Sequence, residues 1–150
     1  MTFPSAVVTN TQSLAIDVQR LSIPILGMDP DVVPFGPSVR NFAATRTIDP
    51  ITITFTEDVS FNVMTSFLAW TKLVIDANGN FSVASVYWQP ISFQPILLDG
   101  TGPNTYTYNS CWPTHITGLD WDGSVMNHVT PTVTFAVDPM NNLNGYPITG

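Results

Sequence analysis

The chain has 150 residues, of which 44% are hydrophobic, and a formal net charge of −7. This length suits one domain with a substantial core, and the hydrophobic fraction excludes a disordered chain. Only 10% of the residues are charged, against about 25% in a typical soluble protein. Because a surface with so few charges is poorly protected against sticking to its neighbours, the composition favours a protein that assembles with itself. A soluble monomer rich in Thr, Ser and Asn is the alternative.

The sign of the charge argues against a protein that grips nucleic acid. Affinity for nucleic acid rests on basic side chains that neutralise phosphates, and here eleven acidic residues stand against four basic ones. The basic residues are scattered along the chain: Arg20, Arg40, Arg46 and Lys72. A surface of this sign would let DNA slide past without binding it.

The chain shows no sign of export or membrane insertion. The single Cys111 allows no internal disulfide, which fits folding in a reducing cytosol. The N-terminal sequence MTFPSAVVTN lacks the basic and apolar regions of a signal peptide. Since no apolar run approaches the roughly 20 residues of a spanning helix, we expect no membrane anchor.

The first third of the chain predicts one strand and one loop. Residues 14–23 alternate like a strand, with a change of phase that predicts a bulge near Gln19 and Arg20. Segment 27–37 contains three prolines and two glycines, so we expect it to be irregular. Its apolar residues Val32, Val33 and Phe35 suit a docking arm. A loop folded onto its own core is the alternative.

A strand and a helix follow. Residues Ile51 to Thr56 alternate, with isoleucines and phenylalanine predicted inward and threonines outward. The threonine face suits an aqueous channel, or simply contact with solvent. A period of three to four residues then predicts a helix from Ser60 to Val74, capped by Asp58 or Ser60. The predicted apolar stripe is Phe61, Val63, Met64, Phe67, Leu68, Trp70, Val74 and Ile75, with Thr71 among them.

The second half predicts further strands. We expect strands at Phe81–Trp88 and Thr105–Ser110, and an interrupted stretch between Pro90 and Leu98. A corner at Trp112–Pro113 and an acidic connector lead to a last strand, Thr132–Asp138. The whole predicts a mainly β domain spanning residues 1–150, with antiparallel strands and one helix. Segments 1–13 and 139–150 are candidate contact arms.

The sequence predicts no catalytic group, metal site or cofactor. His115 and His128 lack metal-ligand spacing, and the common catalytic motifs are absent. Asp120 and Asp122, on either side of Trp121, most nearly match the carboxylate pair of a glycosidase. However, nothing in the sequence gives the two carboxyl groups the different environments that would make one an acid and the other a base. Calcium binding there would lack EF-hand spacing. A β-sandwich that binds carbohydrate through Trp88, Trp112 or Trp121 remains open.

Two stretches resemble the tail tube proteins of contractile-tailed bacteriophages. In the first half, Arg46-Thr47-Ile48-Asp49 enters the alternating strand, and the helix then ends near Phe67-Leu68-Ala69-Trp70. Pro34 and Gly36 stand where the family carries its inter-ring loop. The second half, with Trp112-Pro113-Thr114, Leu119-Asp120-Trp121-Asp122 and the strand Thr132–Asp138, is similar to the family's turn, acidic connector and closing strand.

The resemblance implies an antiparallel β-sandwich or half-barrel with one α-helix, whose strands join a shared hexameric inner β-barrel. Stacked rings would form a hollow tube that conducts DNA into the host. The implied lumen candidates are Thr52, Thr54, Thr56, Thr132, Thr134 and Asp138. The implied inter-ring contacts are Asp31, Val33, Phe35, Arg40 and Arg46. Trp112, Pro113 and Trp121 would form the structural crossover.

The same resemblance implies partners and a location. The partners would be further copies of this chain, the tail sheath protein, and baseplate and tail-terminator proteins. The tape measure protein and DNA would occupy the lumen without specific binding. The protein would be assembled in the host cytoplasm and reside in the virion tail. A tube-initiator or terminator of the same fold is an alternative to the repeating subunit.

Overall fold

The computed structural model contains one antiparallel sheet and one long β-hairpin. It describes residue 3 and residues 18–24, 26–57, 60–94, 105–117, 129–140 and 148–149. The strands are β1 (Val18–Ser22), β2 (Leu26–Phe35), β3 (Ser38–Ile48), β4 (Ile51–Phe55), β5 (Gln89–Phe93), β6 (Thr105–Ile116), β7 (Thr132–Val137) and β8 (Ile148–Thr149). The helices are α1 (Asn62–Val74) and α2 (Ala84–Tyr87).

The main sheet has the strand order β1-β4-β7-β6-β5, and every pairing is antiparallel. The short β8 pairs with the first two residues of β6, Thr105 and Tyr106. In β1 the register shifts between Val18 and Arg20, which confirms the predicted bulge. This mainly β, half-barrel architecture confirms the predicted fold class.

One face of the sheet carries the hydrophobic core. In β4 and β7 the buried side chains alternate with half-buried ones, as expected for strands with one covered face. The buried side chains of these two strands are Ile51, Ile53, Phe55, Val133, Phe135 and Val137. The helix α1 covers them, and its Phe67 ring lies 5.2 Å from Phe55 and 5.5 Å from Phe135 between centroids. The alternation predicted for Ile51–Thr56 is therefore confirmed.

The N-terminal segment contributes Phe3 to this core. Phe3 is only 2% exposed, and its ring lies 5.6 Å from Phe67 and 6.1 Å from Phe55 between centroids. This part of the predicted contact arm 1–13 packs on its own chain. Residues 1–2 and 4–17 lie outside the described residues.

The helix α1 differs from its prediction in its start, its cap and its buried face. It begins at Asn62, with Phe61 as the N-cap residue and no side-chain hydrogen bond from that residue. The buried Glu57 accepts hydrogen bonds from the first-turn N–H groups of Val63 and Met64, a capping group that was not predicted, while Asp58 lies outside the described residues. The buried helix residues are Val63, Ser66, Phe67 and Trp70, whereas Leu68 and Ile75 are 45% and 44% exposed. The predicted stripe was too wide because apolar residues also occupy the solvent side.

The strand predicted at Phe81–Trp88 is wrong. Phe81 makes only an isolated bridge to Ile75, and the chain then forms the short helix α2. The alternation of apolar residues was misleading here because Phe81 and Val83 are 79% and 69% exposed. A strand, β5, begins instead at Gln89 and continues to Phe93, through the first part of the stretch that the prolines were expected to interrupt.

The aromatic-proline corner is also wrong. Trp112 and Pro113 lie within β6, opposite Ala136 and Phe135 of β7. Pro113 is tolerated because a bulge follows it, where the register shifts before His115. Trp121 and the acidic connector lie outside the described residues.

Segment 27–37, predicted to be irregular, belongs to a regular hairpin of β2 and β3. Its register runs from Leu26 opposite Ile48 to Phe35 opposite Ser38, with one shift between Asp29 and Pro30. The prolines do not break β2 because β2 is paired on one side only, and a strand's free edge needs no N–H donor. The turn uses Gly36 at φ +62°, a left-handed conformation in which glycine carries no Cβ penalty.

Candidate assembly surfaces

The described residues hold no group of three or more His, Cys, Asp or Glu side chains that could bind a metal ion. His115 is exposed on β6. Asp120, Asp122 and His128, which the sequence singled out as candidate polar groups, lie outside the described residues. None of the helices in the described ranges is long and apolar enough to cross a membrane. The surfaces that stand out are a hydroxyl-lined sheet face, an exposed hairpin and an apolar turn.

The hydroxyl face is the side of the main sheet opposite α1. Thr52 pairs with Thr134 and Thr54 pairs with Thr132 in the β4–β7 register, so these side chains share a face. The Oγ1 atoms of Thr54 and Thr132 lie 3.1 Å apart. Backbone pairing continues past β4, where the Glu57 N–H donates to the Val129 carbonyl at 2.8 Å. By alternation, Thr56 and Asp138 extend the same face, which brings all six candidate lumen residues together.

Three further residues of this face were not singled out from the sequence. Arg20 and Ser22 of β1 lie opposite Thr54 and Thr52, and His115 lies opposite Thr134. Only the strand order brings them beside the threonines, so no local pattern could have shown it. The described part of the face carries one acid, Asp138, and one fixed base, Arg20. It is therefore nearly neutral, whereas the composition suggested an acidic lining.

An aromatic group lies beside this face, where β5 and β6 meet. Trp88 and Trp112 are stacked, with centroids 6.1 Å apart and planes at 29°. The Tyr87 ring meets Trp112 edge-on at 6.0 Å. Trp88 and Trp112 are both half-buried and pack against one another. Trp112 thus joins β6 to α2 and β5, in keeping with a bracing role.

The hairpin has two faces of different character. Asp31 lies opposite Phe42, Val33 opposite Arg40 and Phe35 opposite Ser38. We call the face formed by Asp31, Val33, Phe35, Arg40 and Phe42 the charged face. The Arg40 guanidinium lies 4.6 Å from the centroid of the Phe35 ring, a cation–π contact that holds both side chains on this face. Asp29 continues the face toward the hairpin base.

The other face, formed by Val32, Pro34, Val39 and Asn41, is uncharged. Val32 lies opposite Asn41 and Pro34 opposite Val39. Arg46 pairs with Met28 at the base on this second side. Four of the five candidate inter-ring residues therefore share the charged face, and Arg46 lies apart from them.

Both faces of the hairpin are uncovered. The most exposed apolar side chains are Met28, Val39 and Phe35, at 64%, 64% and 63%. Val32, Val33 and Phe42 are exposed as well. Because an isolated two-stranded hairpin is only marginally stable in water, and large exposed apolar patches mark interaction sites, this hairpin has the character of a docking element.

A second apolar surface lies between α1 and β5. We call it the turn patch, and its residues are Lys72, Ile75, Asp76, Phe81, Val83 and Val86. All of them are exposed. The Asp76 carboxylate accepts the backbone N–H groups of Asn78 and Asn80 at 2.8 and 2.9 Å. These bonds lower the pKa of Asp76, chiefly through Asn80, so the carboxylate is charged at neutral pH.

Comparison with solved structures gives the fold a context. The anti-feeding prophage tube-terminating cap superposes with a TM-score of 0.62 at 15% identity, covering 81% of this chain and 76% of that chain. A chain from the sheath/tube terminator of an extracellular contractile injection system, PVC, gives 0.62 at 13% identity over 81% of each chain. A chain from the PVC sheath-tube complex gives 0.61 at 13%, covering 81% of this chain and 76% of that one.

This chain has the fold of contractile injection tube and cap proteins. No protein-family model matches the sequence, and no curated protein does. At such low identity the likeness establishes the fold alone.

Proposed function

We propose that this chain is a structural subunit of a tail tube, in which hexameric rings stack into a hollow tube. The observation that carries the proposal is the β2–β3 hairpin, which exposes apolar side chains on both faces. Burial between copies would remove this apolar surface from water and stabilise the hairpin. The low content of charged residues supports the same conclusion.

The open edges of the sheet supply the ring contact. Among the described strands, β1 and β5 form its two ends, and each is paired there on one side, which leaves the backbone groups of the other side for a partner. Pairing one edge of a copy with the other edge of the next is a head-to-tail contact, which generates a ring when the rotation closes. The sheets would then join as a hexameric inner barrel.

The hydroxyl face would line the lumen of this barrel. It lies opposite α1, so the helix would face outward, toward the sheath. A lining of threonines with a single described Arg and a single described Asp would hold few phosphate groups, since strong binding requires several basic contacts. DNA and the tape measure protein would therefore pass without specific binding. The chain would act as a conduit wall and catalyse no reaction.

The proposed partners are the tail sheath, the baseplate and the tail terminator, and the proposed location is the tail of a bacteriophage virion. This proposal is supported by the solved structures of similar fold, which come from a sheath-tube complex, tube terminators and a baseplate. The hairpin residues Asp31, Val33, Phe35, Arg40 and Arg46 are the proposed contacts between rings.

Electron microscopy of the purified, concentrated protein tests the assembly. We expect rings or tubes about 100 Å across, a scale that the resemblance to tail tube proteins implies for one domain per sector of the ring. Protein that stays monomeric at high concentration would overturn the tube-subunit proposal. Size-exclusion chromatography of the same sample over a dilution series is the matched control for self-association.

A terminator or cap of the same fold is the second candidate. It is favoured by two of the similar solved structures, which are a tube-terminating cap and a sheath/tube terminator. A cap would form single rings that do not elongate, whereas a tube subunit would form tubes whose length grows with concentration. Tube length in the same micrographs separates the two.

A further inference from the structure

We propose that the charged face of the hairpin docks on the turn patch of a neighbouring copy. This inference rests on the proposed function, since it requires copies that assemble. It adds the surface that receives the hairpin, and it assigns that role to residues that none of the predicted sites included. The occupant of the turn patch is therefore a second copy of this chain.

The two surfaces match in apolar character. The charged face offers Val33, Phe35 and Phe42, which are 42%, 63% and 54% exposed. The turn patch offers Ile75, Phe81, Val83 and Val86, which are 44%, 79%, 69% and 44% exposed. Contact between two such surfaces removes apolar area from water on both copies.

The two surfaces also match in charge. Asp31 and Arg40 stand at neighbouring pairs on the charged face, and Lys72 and Asp76 flank Ile75 on the turn patch. The charged face carries Arg40 with Asp31 and, toward the hairpin base, Asp29. The turn patch carries Lys72 and Asp76, so Asp31 can meet Lys72 while Arg40 meets Asp76. On the uncharged face, Val32, Pro34, Val39 and Asn41 carry no charge, and Arg46 at its base has a sign that suits Asp76 but not Lys72. Complementary charges fix the register of a contact more than its strength.

The positions of the two surfaces suit a head-to-tail contact. The hairpin lies between β1 and β4 in the chain, and the turn patch lies between α1 and β5, so the two are different surfaces. A copy in one ring can therefore give its hairpin to a copy in the next ring while its turn patch receives a hairpin from the ring on the other side. Different surfaces that pair in this way generate closed rings or open filaments.

Engineered cysteines test the contact directly. We compare the double variant Val33→Cys with Phe81→Cys against the double variant Val32→Cys with Phe81→Cys. The two hairpin positions are adjacent in sequence but lie on opposite faces. After mild oxidation of assembled protein, we expect the Val33 variant to give a ladder of disulfide-linked multimers on a non-reducing gel. We expect the Val32 variant to stay monomeric on the same gel. The native Cys111 is buried, which keeps it out of the reaction.

The outcomes separate this inference from the proposed function. Rings or tubes that form without a Val33–Phe81 ladder, or with a stronger Val32–Phe81 ladder, would overturn the docking contact and leave the tube intact. Absence of rings and tubes from the unsubstituted protein would overturn the tube itself.

A charge exchange covers the case in which the cysteine variants do not assemble. Asp31→Lys and Lys72→Glu should each raise the concentration needed for assembly by about threefold or more. The two substitutions combined should restore it, because the pair is then reformed with its signs reversed. Circular dichroism controls for folding. Additive defects in the double variant would contradict the contact.

Discussion

Thr54 and Thr132 face each other across two adjacent strands, with their Oγ1 atoms 3.1 Å apart. They are 78 residues apart in sequence, yet the pairing of β4 with β7 places them side by side on the hydroxyl face. The core and α1 occupy the other side of the same sheet. The sheet is therefore divided into an apolar side that holds the fold together and a hydroxyl side that is free for another use.

Thiol labelling tells which side faces the lumen. In assembled tubes, we expect Thr134→Cys to react with a small maleimide but not with a maleimide coupled to a large dextran. Ala69→Cys, exposed on α1, should react with both. Once the tubes are dissociated, the two variants should label alike. Dextran labelling of Thr134→Cys in intact tubes would contradict a luminal hydroxyl face.

Replacing Glu57 should destabilise the start of α1. Its two carboxylate oxygens accept the N–H groups of Val63 and Met64, each at 3.0 Å, and its negative charge favours a helix N-terminus. Glu57→Ala should lower the free energy of unfolding by about 1–3 kcal/mol, because a buried N–H group loses its acceptor. Urea denaturation measures this. Glu57→Gln keeps one acceptor oxygen, so its stability should lie between those of the unsubstituted protein and Glu57→Ala. Equal stability of all three proteins would contradict a capping role for Glu57.

The Cys111 thiol should be unreactive until the protein unfolds. Burial raises its pKa from 9.0 to about 12, and only the thiolate is nucleophilic. At pH 8 we expect Ellman's reagent to titrate the thiol in urea and to leave the folded protein unmodified over the same period. Rapid modification under native conditions would place the thiol at the surface.

The same shift predicts a loss of stability at high pH. The unfolded chain releases the Cys111 proton above about pH 9 while the folded chain keeps it up to about pH 12. Stability falls with rising pH wherever the unfolded state binds fewer protons than the folded state. The contribution of the Cys111 thiol to stability is therefore complete below pH 9 and declines between pH 9 and 12. Cys111→Ala should remove that component from the pH dependence of the urea midpoint. If the urea midpoint of the variant fell with pH as steeply as that of the unsubstituted protein, other groups would be the cause of the decline.

Loss of the Tyr108 hydroxyl should loosen the attachment of the hairpin. The hydroxyl donates to the Pro24 carbonyl at 3.0 Å in a buried setting, two residues before β2 begins. Tyr108→Phe should lower the free energy of unfolding by about 1 kcal/mol. It should also speed hydrogen exchange at the hairpin base. Tyr106→Phe removes the same atom from a half-buried position nearby, and an equal effect of both would contradict a specific role for the bond.

The sequence could predict those parts of the fold in which local pattern and burial agree. The alternation at Ile51–Thr56 and Thr132–Asp138 indicates that one face of each strand is covered. Both strands, and the inward direction of their apolar side chains, could therefore be predicted. Phe81 and Val83 follow a similar alternation but are exposed, and the strand predicted there was wrong. Alternation indicates burial only when a partner within the chain covers the residues.

In the hairpin, by contrast, the sequence failed to predict strands that are present. Pro30 and Pro34 indicated irregular structure because a proline removes a backbone donor. That donor is dispensable in a strand with a free edge, and no pattern in the sequence tells how many neighbours a strand has. The apolar character of Val33 and Phe35 left a docking arm and a loop folded onto its own core as alternatives, and the exposure of both side chains favours the arm. The chemistry of this segment could thus be predicted, and its geometry could not.

The burial of Phe3 limits how the N-terminal end of the chain can be shortened in the laboratory. Its ring touches two core phenylalanines, Phe55 and Phe67, so a deletion of the first few residues would empty a site in the middle of the domain. Such a cavity costs about 3–5 kcal/mol when a phenylalanine is lost, as much as a disabling interior substitution. Trimming this end for easier purification would amount to core mutagenesis.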